Sequence, residues 1–249
     1  MFPIRDHNPS QGTPFVTYAL IVVNVAVFLS YVSLFSEPRA LNAFFYDWSL
    51  IPANVAQGYR YDTLFTTMFL HGGFMHLAGN MLFLWIFGDN MEEEMGHFGF
   101  LLFYLASGLG AALAHVISAP YSMIPTVGAS GAIAGVMGGY LLLFPKAKID
   151  ILLILIIFFR IFSIPAWVML GVWFALQLFS GTGADPETGG VAYWAHAGGF
   201  IIGFLLTLPI WLKRGGTSFW NQTAGHPPHP KAEYRFAQSS IPTVKRRRK

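Results

Sequence analysis

Cysteine is absent from the 249 residues, and charged residues are scarce. Without cysteine the chain can form neither disulfides nor thiolate metal sites, and it cannot be a cysteine protease. Asp, Glu, Lys and Arg make up 11% of the residues, against roughly 25% in soluble domains. Hydrophobic residues make up 54%. Because so few charges cannot cover a water-soluble surface, the composition predicts an integral membrane protein.

Long apolar runs are present instead, and they predict six membrane-spanning helices. A span needs about 20 predominantly apolar residues, and the first run exceeds the hydrophobic region of a cleavable signal peptide. The predicted spans are 15–35, 74–87, 98–118, 128–144, 164–179 and 191–212. The expected fold class is therefore an all-α integral membrane protein, a bundle of six transmembrane helices.

Two other segments fit neither a span nor a free linker. Residues 36–73 mix Pro, Trp, Arg and Asp with aromatic residues, so we expect short helices at the membrane interface. Residues 150–180 are too long for one span and too short for two, and Pro165 divides them. We expect an interfacial piece up to Phe162, followed by the fifth span.

The Lys and Arg residues indicate the orientation of the spans. Six spans place both termini on one side, and 12 of the 15 Lys and Arg residues fall on that side. Arg39 and Arg60 fall on the other side, and Arg160 stays unassigned. Because Lys and Arg are enriched in cytosolic loops, we predict cytosolic N- and C-termini. The expected location is a bacterial inner (plasma) membrane.

These features divide the chain into three parts. We predict a cytosolic N-terminal segment at 1–13, a membrane domain at 14–213 and a disordered basic tail at 214–249. The tail ends in Lys245-Arg246-Arg247-Arg248-Lys249, a run that suits contact with anionic lipid. Because the basic residues flank spans or lie in this tail, they report topology, and nucleic acid is not an expected partner.

Polar side chains inside a membrane span are costly and usually mark function, and four of those in the predicted spans can be placed by depth. Counting about 1.5 Å of rise per residue from the cytosolic ends places Ser130, His196 and His76 in the outer half of a core about 30 Å thick. Asn80 lies close to the midplane on the same count. Three spans thus place polar groups in one layer, which predicts a site between helices.

Ser130 and His196 each have two interpretations. Ser130, at the start of a span, is either a helix N-cap or a nucleophile beside the free amides and positive dipole end of the helix. His196 is either a packed, hydrogen-bonded residue or the base of that nucleophile. A base must lie within about 3 Å of its nucleophile. Close approach of the two helices is favoured by small-xxx-small faces, formed by Gly131, Gly135 and Gly139 on one span and Gly199 and Gly203 on the other.

His76 and Asn80, spaced i and i+4, share one face of the second span. They are either interhelical hydrogen-bond partners or donors to a tetrahedral oxyanion. His71 is expected to anchor a loop, and His97 and His115 to pack near the ends of span three. No metal-site spacing of His and carboxylates occurs in the sequence, so no metal or other cofactor is predicted.

Three motifs together resemble the rhomboid family of intramembrane serine proteases. Gly128-Ala129-Ser130-Gly131 resembles its serine motif, Ala195-His196-Ala197-Gly198-Gly199 its histidine motif, and His76-Leu77-Ala78-Gly79-Asn80 its H-x-x-x-N motif. The resemblance implies a six-helix core, a Ser130–His196 dyad without a carboxylate, and an oxyanion hole from the Ser130 amide, His76 and Asn80. It also implies cofactor-free cleavage of single-span membrane proteins near the extracytosolic end of their helix.

The chain departs from the family pattern in two places. Many members have Trp-Arg where this chain has Asp62-Thr63, and many have an aromatic residue, where this chain has Ala134, to pack on the catalytic imidazole. Another group must therefore orient His196.

Two other functions compete with protease activity. One is a non-catalytic rhomboid-like membrane-protein binder or chaperone, which would be expected to lack Ser130 or His196. The other is a transporter, which would need an intramembrane charge.

Overall fold

The structure is a computed structural model that describes residues 2–155, 158–185, 190–223 and 225. Most of the chain is helical. The helices are α1 (Phe15–Tyr31), α2 (Pro38–Trp48), α3 (Pro52–Ala56), α4 (Thr63–Thr66), α5 (Phe74–Met95), α6 (His97–Ser118), α7 (Ser130–Leu143), α8 (Ala166–Gly183), α9 (Tyr193–Lys213) and α10 (Thr217–Thr223). Short 3-10 turns, Val32–Ser36 and Thr67–Phe69, follow α1 and α4. The short helices predicted within 36–73 are α2, α3 and α4.

Four helices in the described ranges are long and apolar enough to cross a membrane, namely α1 with its following turn, α6, α8 and α9. The segment Thr63–Phe69 meets α5 at 91°, and the two make a fifth candidate if they form one broken span. α7 is apolar but has only 14 residues. The predicted helical, multi-pass membrane architecture is therefore confirmed, with four or five candidate spans by length and composition.

α7 lies at the centre of the bundle and packs directly on α9. Glycines on both helices make this contact, because a Cβ at Gly199 would lie 2.1 Å from the carbonyl oxygen of Gly131, and one at Gly203 would lie 2.1 Å from that of Gly135. Backbone therefore touches backbone, and the predicted small-residue faces are confirmed. Gly139 faces the side chains of Met91 and Thr207 instead.

α5 continues beyond the predicted end of the second span at 87 and runs through the acidic stretch to Met95. The carboxylate of Glu92 caps the start of α1, since the amides of Val16 and Thr17 each donate to it at 2.8 Å. The acidic residue thus satisfies orphan amide donors of a neighbouring helix. Its charge therefore supports the helical bundle and does not end α5.

The expectation of an all-α chain is wrong at one end of the bundle, where the structure has a three-stranded antiparallel sheet. Its strands are β1 (Phe2–Asp6), β2 (Lys148–Leu155) and β3 (Phe158–Pro165), in the order β1-β2-β3. Residues 148–165 are rich in β-branched and aromatic residues, which favour strands. Ile149 and Ile151 alternate into the core. The predicted interfacial piece is thus a hairpin that leads directly into α8.

Asp150 fastens β1 to this hairpin. Its carboxylate accepts hydrogen bonds from Arg5 Nε at 2.6 Å and Ser163 Oγ at 2.5 Å. His7 Nε2 lies 2.8 Å from the same carboxylate. The hydrogen bond from Ser163, together with those to His7 and Arg5, holds the pKa of Asp150 well below its usual range. The ionised carboxylate therefore joins the N-terminal segment to both strands of the hairpin.

The segment after 213, predicted to be a disordered tail, begins with the helix α10. Trp220 Nε1 donates to the carbonyl oxygen of Leu142 at 2.9 Å, and its ring lies 4.8 Å from that of Trp211. These contacts order residues 217–223 against the ends of α7 and α9. Residues 226–249, with the predicted basic run Lys245–Lys249, lie outside the described residues.

Candidate functional site

Ser130 and His196 are in direct hydrogen-bond contact. Ser130 is the first residue of α7, and His196 lies in the first turn of α9. Ser130 Oγ lies 2.7 Å from His196 Nε2. No side-chain cap hydrogen bond forms at the start of α7, so the geometry does not support Ser130 as an N-cap. The close packing of α7 on α9 is what brings these two side chains together.

The other ring nitrogen of His196 also has a partner. His196 Nδ1 lies 2.9 Å from Oε1 of Gln177, which projects from α8. The ring of Trp173, one turn earlier on α8, lies 5.8 Å from the imidazole, with 31° between the ring planes. Trp173 thus takes a place beside the imidazole that Ala134 cannot fill. Neither residue is predicted from the sequence, although Gln177 is a polar residue inside the predicted fifth span.

His76 points its Nε2 at the same space as Ser130. The amide of Gly72 donates to His76 Nδ1 at 3.3 Å, which leaves the ring proton on Nε2. A Cβ at Gly128 would lie 2.9 Å from His76 Nε2 and 3.3 Å from Ser130 Oγ. Gly128 also has a φ of +138°, which favours glycine. Glycine at this position therefore keeps the gap between the imidazole and the serine open.

Asn80 lies one turn along α5 from His76 and is buried, with 8% of its surface exposed. Within the described part of the chain, its Nδ2 has no hydrogen-bond partner. An unpaired buried donor costs about 1 to 3 kcal/mol. Such a group in a cavity is therefore available to a ligand, and it calls for a functional explanation.

These side chains surround a cavity of about 490 Å³. His76, Asn80, Ser130 and His196 all line it, together with Trp173. The four residues predicted from the sequence are therefore brought together at one cavity by α5, α7 and α9. A second cavity of about 600 Å³ adjoins it, and the two share the wall residues Pro125–Thr126 and Gly190–Ala192.

The other predicted histidines have separate partners. Tyr31 Oη donates to the carbonyl oxygen of His71 at 2.9 Å and accepts from its amide at 2.7 Å, so the backbone of His71 anchors the loop before α5. His97 Nδ1 lies 2.5 Å from Glu92, and His115 Nε2 lies 3.0 Å from Thr126 Oγ1. These contacts agree with packing roles. In the described residues no group of three or more His, Asp or Glu could hold a metal ion.

Comparison with known proteins adds a family assignment. The profile of the Rhomboid domain family matches residues 56–213, a stretch that includes all four predicted site residues. Rhomboid protein 1, mitochondrial, of Saccharomyces cerevisiae is 31% identical over 200 residues, which cover 76% of this chain and 51% of the yeast protein.

Two further relatives come from a bacterium and a plant. Rhomboid protease GluP of Bacillus subtilis is 36% identical over 133 residues, or 53% of this chain and 25% of that protein. Rhomboid-like protein 11, chloroplastic, of Arabidopsis thaliana is 31% identical over 131 residues, or 53% of this chain and 43% of that protein. The matched part is thus about half or less of each relative's length. With the domain match covering more than half of the chain, the protein belongs to the rhomboid family of multi-pass membrane proteins.

Proposed function

We propose that this protein is an intramembrane serine endopeptidase that cleaves transmembrane-helix substrates near their extracytosolic end with a Ser130–His196 dyad. The observation that carries the proposal is the 2.7 Å contact between Ser130 Oγ and His196 Nε2. It joins side chains 66 residues apart at a cavity in a membrane protein. A nucleophile within hydrogen-bond reach of a base is the arrangement that covalent catalysis needs.

In the first half of the reaction, Ser130 Oγ attacks the carbonyl carbon of the scissile bond while His196 Nε2 takes the hydroxyl proton. A tetrahedral intermediate with a negatively charged oxygen forms. When it collapses, the carbon–nitrogen bond breaks, and protonated His196 returns the proton to the leaving amine. The products of this half are an acyl ester on Ser130 and a free amino terminus.

The oxyanion is stabilised by donors that line the cavity beside Ser130. In this proposal these are the Ser130 amide at the start of α7, His76 Nε2–H and the unpaired Asn80 Nδ2. The amide has no intrahelical partner because it lies in the first turn, and the helix dipole adds positive potential there. Donors fixed before the reaction need no reorganisation as charge develops.

In the second half, water replaces the amine. His196 Nε2 takes a proton from a water molecule as its oxygen attacks the ester carbon, and a second tetrahedral intermediate uses the same donors. Collapse breaks the ester bond, and His196 returns the proton to Ser130 Oγ. The enzyme is restored without oxidation or reduction, and none of these steps uses a cofactor.

The membrane position of the site follows from helix lengths. We propose six spans, α1, the broken segment ending in α5, α6, α7, α8 and α9, within a membrane domain at 14–213. The 14 residues of α7 are about 21 Å long, which is shorter than a hydrocarbon core of about 30 Å. If its C-terminal end lies at the cytosolic surface, Ser130 lies about 9 Å below the outer surface. Single-span helices in the lipid bilayer are therefore the proposed substrates.

The proposed orientation has both termini in the cytosol, as the Lys and Arg distribution predicts. A bacterial plasma membrane stays a prediction, since the relatives include mitochondrial and chloroplast proteins as well as a bacterial one.

Labelling with a fluorophosphonate, which reacts only with activated serines, tests the proposal. We expect the wild-type protein to be labelled and to cleave a model single-span substrate, and both properties to be lost in Ser130→Ala. His196→Ala should lose nearly as much, and the double variant little more, because the two residues act as one unit. A folded Ser130→Ala protein with wild-type turnover would overturn the mechanism. An unlabelled, inactive wild-type protein that still binds membrane proteins would favour the binder or chaperone.

A further inference from the structure

We propose that Gln177 positions the catalytic imidazole, by accepting the Nδ1–H of His196 and so fixing the tautomer whose Nε2 can take the Ser130 proton. This inference rests on the proposed function of Ser130 and His196. A neutral imidazole carries one proton on one of its two nitrogens. It can serve as the base for Ser130 only when that proton is on Nδ1, and the partner of Nδ1 sets this choice.

The geometry around Gln177 fits an acceptor role. Its Oε1 lies 2.9 Å from His196 Nδ1, and 9% of its surface is exposed. The Nε2 of the same amide is directed at the carbonyl oxygen of Trp173, one turn back on α8, at 3.4 Å. Because a carbonyl can only accept, this contact turns the NH₂ group towards its own helix. The amide oxygen then faces the imidazole.

Trp173 acts from the same face of α8, because i and i+4 residues are neighbours on a helix. Its ring lies 5.8 Å from the imidazole and limits rotation of the imidazole while Gln177 holds Nδ1. Ser130 on α7, His196 on α9 and Gln177 on α8 are thus connected by two successive hydrogen-bond contacts. This answers the question left by Ala134, since the group that orients His196 comes from a different helix.

A neutral acceptor has a chemical consequence. Among the residues that the structure describes, the charged or titratable groups that act electrostatically on His196 are His76 on α5 and His115 on α6, and neither is a carboxylate. Gln177 therefore orients the base through a dipole, without the full negative charge that stabilises an imidazolium in a triad with Asp. Replacing this amide by a carboxylate would keep the acceptor and add that charge.

Two substitutions separate orientation from packing. Gln177→Met keeps the length of the side chain and removes the acceptor, so we expect kcat to fall about tenfold, as for loss of one neutral hydrogen bond. KM and melting temperature should change little. Gln177→Glu keeps an acceptor and stabilises the imidazolium, so we expect the acid limb of the pH–activity profile to move to higher pH. Leu176→Ala, at an exposed neighbouring position of α8, is the control and should leave both readouts unchanged.

Fluorophosphonate labelling of Ser130 in the same proteins makes the outcomes distinguishable. An unlabelled wild-type protein means that the proposed function has failed, whatever Gln177 does. A labelled wild type with a folded Gln177→Met variant of unchanged kcat overturns the role of Gln177 alone. If Gln177→Met does not fold, the profile of Gln177→Glu decides. An acid limb that coincides with that of the wild type overturns the inference, and an upward shift supports it.

Discussion

The buried amide of Asn80 is a side chain that helix packing alone does not explain. Its Nδ2 has no partner among the residues that the structure describes, and 8% of the residue is exposed. Buried polar groups in folded proteins are nearly always paired. A donor left open beside a candidate nucleophile is explained if its partner arrives with the substrate. His76 Nε2 faces the same gap at Gly128.

We therefore expect His76→Ala and Asn80→Ala to lower kcat by about 10²- to 10³-fold each, with a smaller change in KM. The reason is that oxyanion donors act only as charge develops in the transition state. Kinetics of cleavage of a model transmembrane substrate, measured together with melting temperature, check this prediction.

Asn24→Ala is the matched control for these variants. Asn24 is fully buried in α1, and its Nδ2 donates to the carbonyl oxygen of Leu20 at 2.8 Å. It should affect stability and leave kcat unchanged. If His76→Ala and Asn80→Ala behave in the same way as this control, the pair belongs to helix packing, and Ser130 and His196 are the only catalytic side chains.

At the residue scale, the sequence predicted four residues that line the candidate site but not all of their partners. Ser130, His196, His76 and Asn80 stand out because polar groups inside apolar spans are costly. Gln177 carries the same signal, but its role depends on how α8 turns against α9. That rotation is set by packing between helices and cannot be read from spacing within one span.

At the element scale, contact between α7 and α9 controls the distance between Ser130 and His196. His196 precedes Gly199 by three residues on α9, so both lie on the face that meets α7. Gly131, against which Gly199 packs, directly follows Ser130. Any separation of the helices at this point would therefore move His196 away from Ser130.

We expect Gly199→Ala to lower both melting temperature and cleavage. The new Cβ would lie 2.1 Å from the carbonyl oxygen of Gly131, and forcing an extra methyl into a packed contact costs about 1 to 3 kcal/mol. A displacement of about 1 Å at a reacting group can cost about 100-fold in rate. Thermal melting and substrate cleavage measure the two effects.

Gly171→Ala in α8 is the matched control, because a Cβ there meets nothing within 4 Å. Alanine favours a helix over glycine, so this variant should be at least as stable as the wild type and fully active. Normal cleavage by Gly199→Ala would show that the helices tolerate separation at this point.

The sheet shows where periodicity fails as a predictor. A continuous apolar run in 150–162 is compatible with a strand or a buried helix, and its outer partner β1, at Phe2–Asp6, lies far earlier in the chain. Pairing over such a separation leaves no local signal in the sequence. Glycine spacing, by contrast, predicted the α7–α9 contact, because a small-xxx-small pattern lies within a single helix and can be read from the local sequence.

Asp6, at the end of β1, makes the docking of this strand depend on pH. Its carboxylate accepts from Tyr140 Oη at 2.7 Å and Asn90 Nδ2 at 3.1 Å, with Asp89 nearby. Burial raises the pKa of Asp6 from 3.8 to about 7. Between these values the folded protein keeps a proton that the unfolded chain releases. The contribution of Asp6 is therefore fully present at low pH and is lost as pH rises through about 7.

We expect amide exchange at β1 to become faster between pH 5 and pH 8 in the wild type, after correction for intrinsic rates. Asp6→Asn should remove most of this dependence, because its amide stays neutral over the whole range. The difference between the two proteins at each pH isolates Asp6 together with its coupling to Asp89 and cancels titrating groups that do not interact with Asp6. Asp47→Asn, at an exposed position of α2, is the control. Equal pH dependence in all three proteins would contradict the prediction.

At the scale of the whole molecule, the number of spans decides which loops share a side of the membrane. Helix length and composition give four candidates, or five with the broken segment, and α7 is too short for the same criterion. If α7 is the sixth span, the segments before α1 and after α9 lie on the same side of the membrane, which is predicted to be the cytosol. If it does not span, the chain after α9 lies on the opposite side from β1. Topology therefore tests the α7 assignment and the depth of Ser130 together.

The absence of cysteine makes single introduced cysteines a direct measure of this topology. Gly12→Cys precedes α1, Tyr121→Cys lies between α6 and α7 at a position that is 87% exposed, and Ser218→Cys lies in α10 after all proposed spans. In spheroplasts of a bacterial host, we expect a membrane-impermeant maleimide to label Tyr121→Cys alone. Gly12→Cys and Ser218→Cys should be labelled only after permeabilisation, since 12 of 15 Lys and Arg residues predict that side as cytosolic.

The wild type supplies an unlabelled background, and fluorophosphonate labelling of each variant checks that the site is intact. Labelling of Ser218→Cys in intact spheroplasts would mean an odd number of spans. The α7 assignment, and with it the proposed depth of Ser130, would then be wrong.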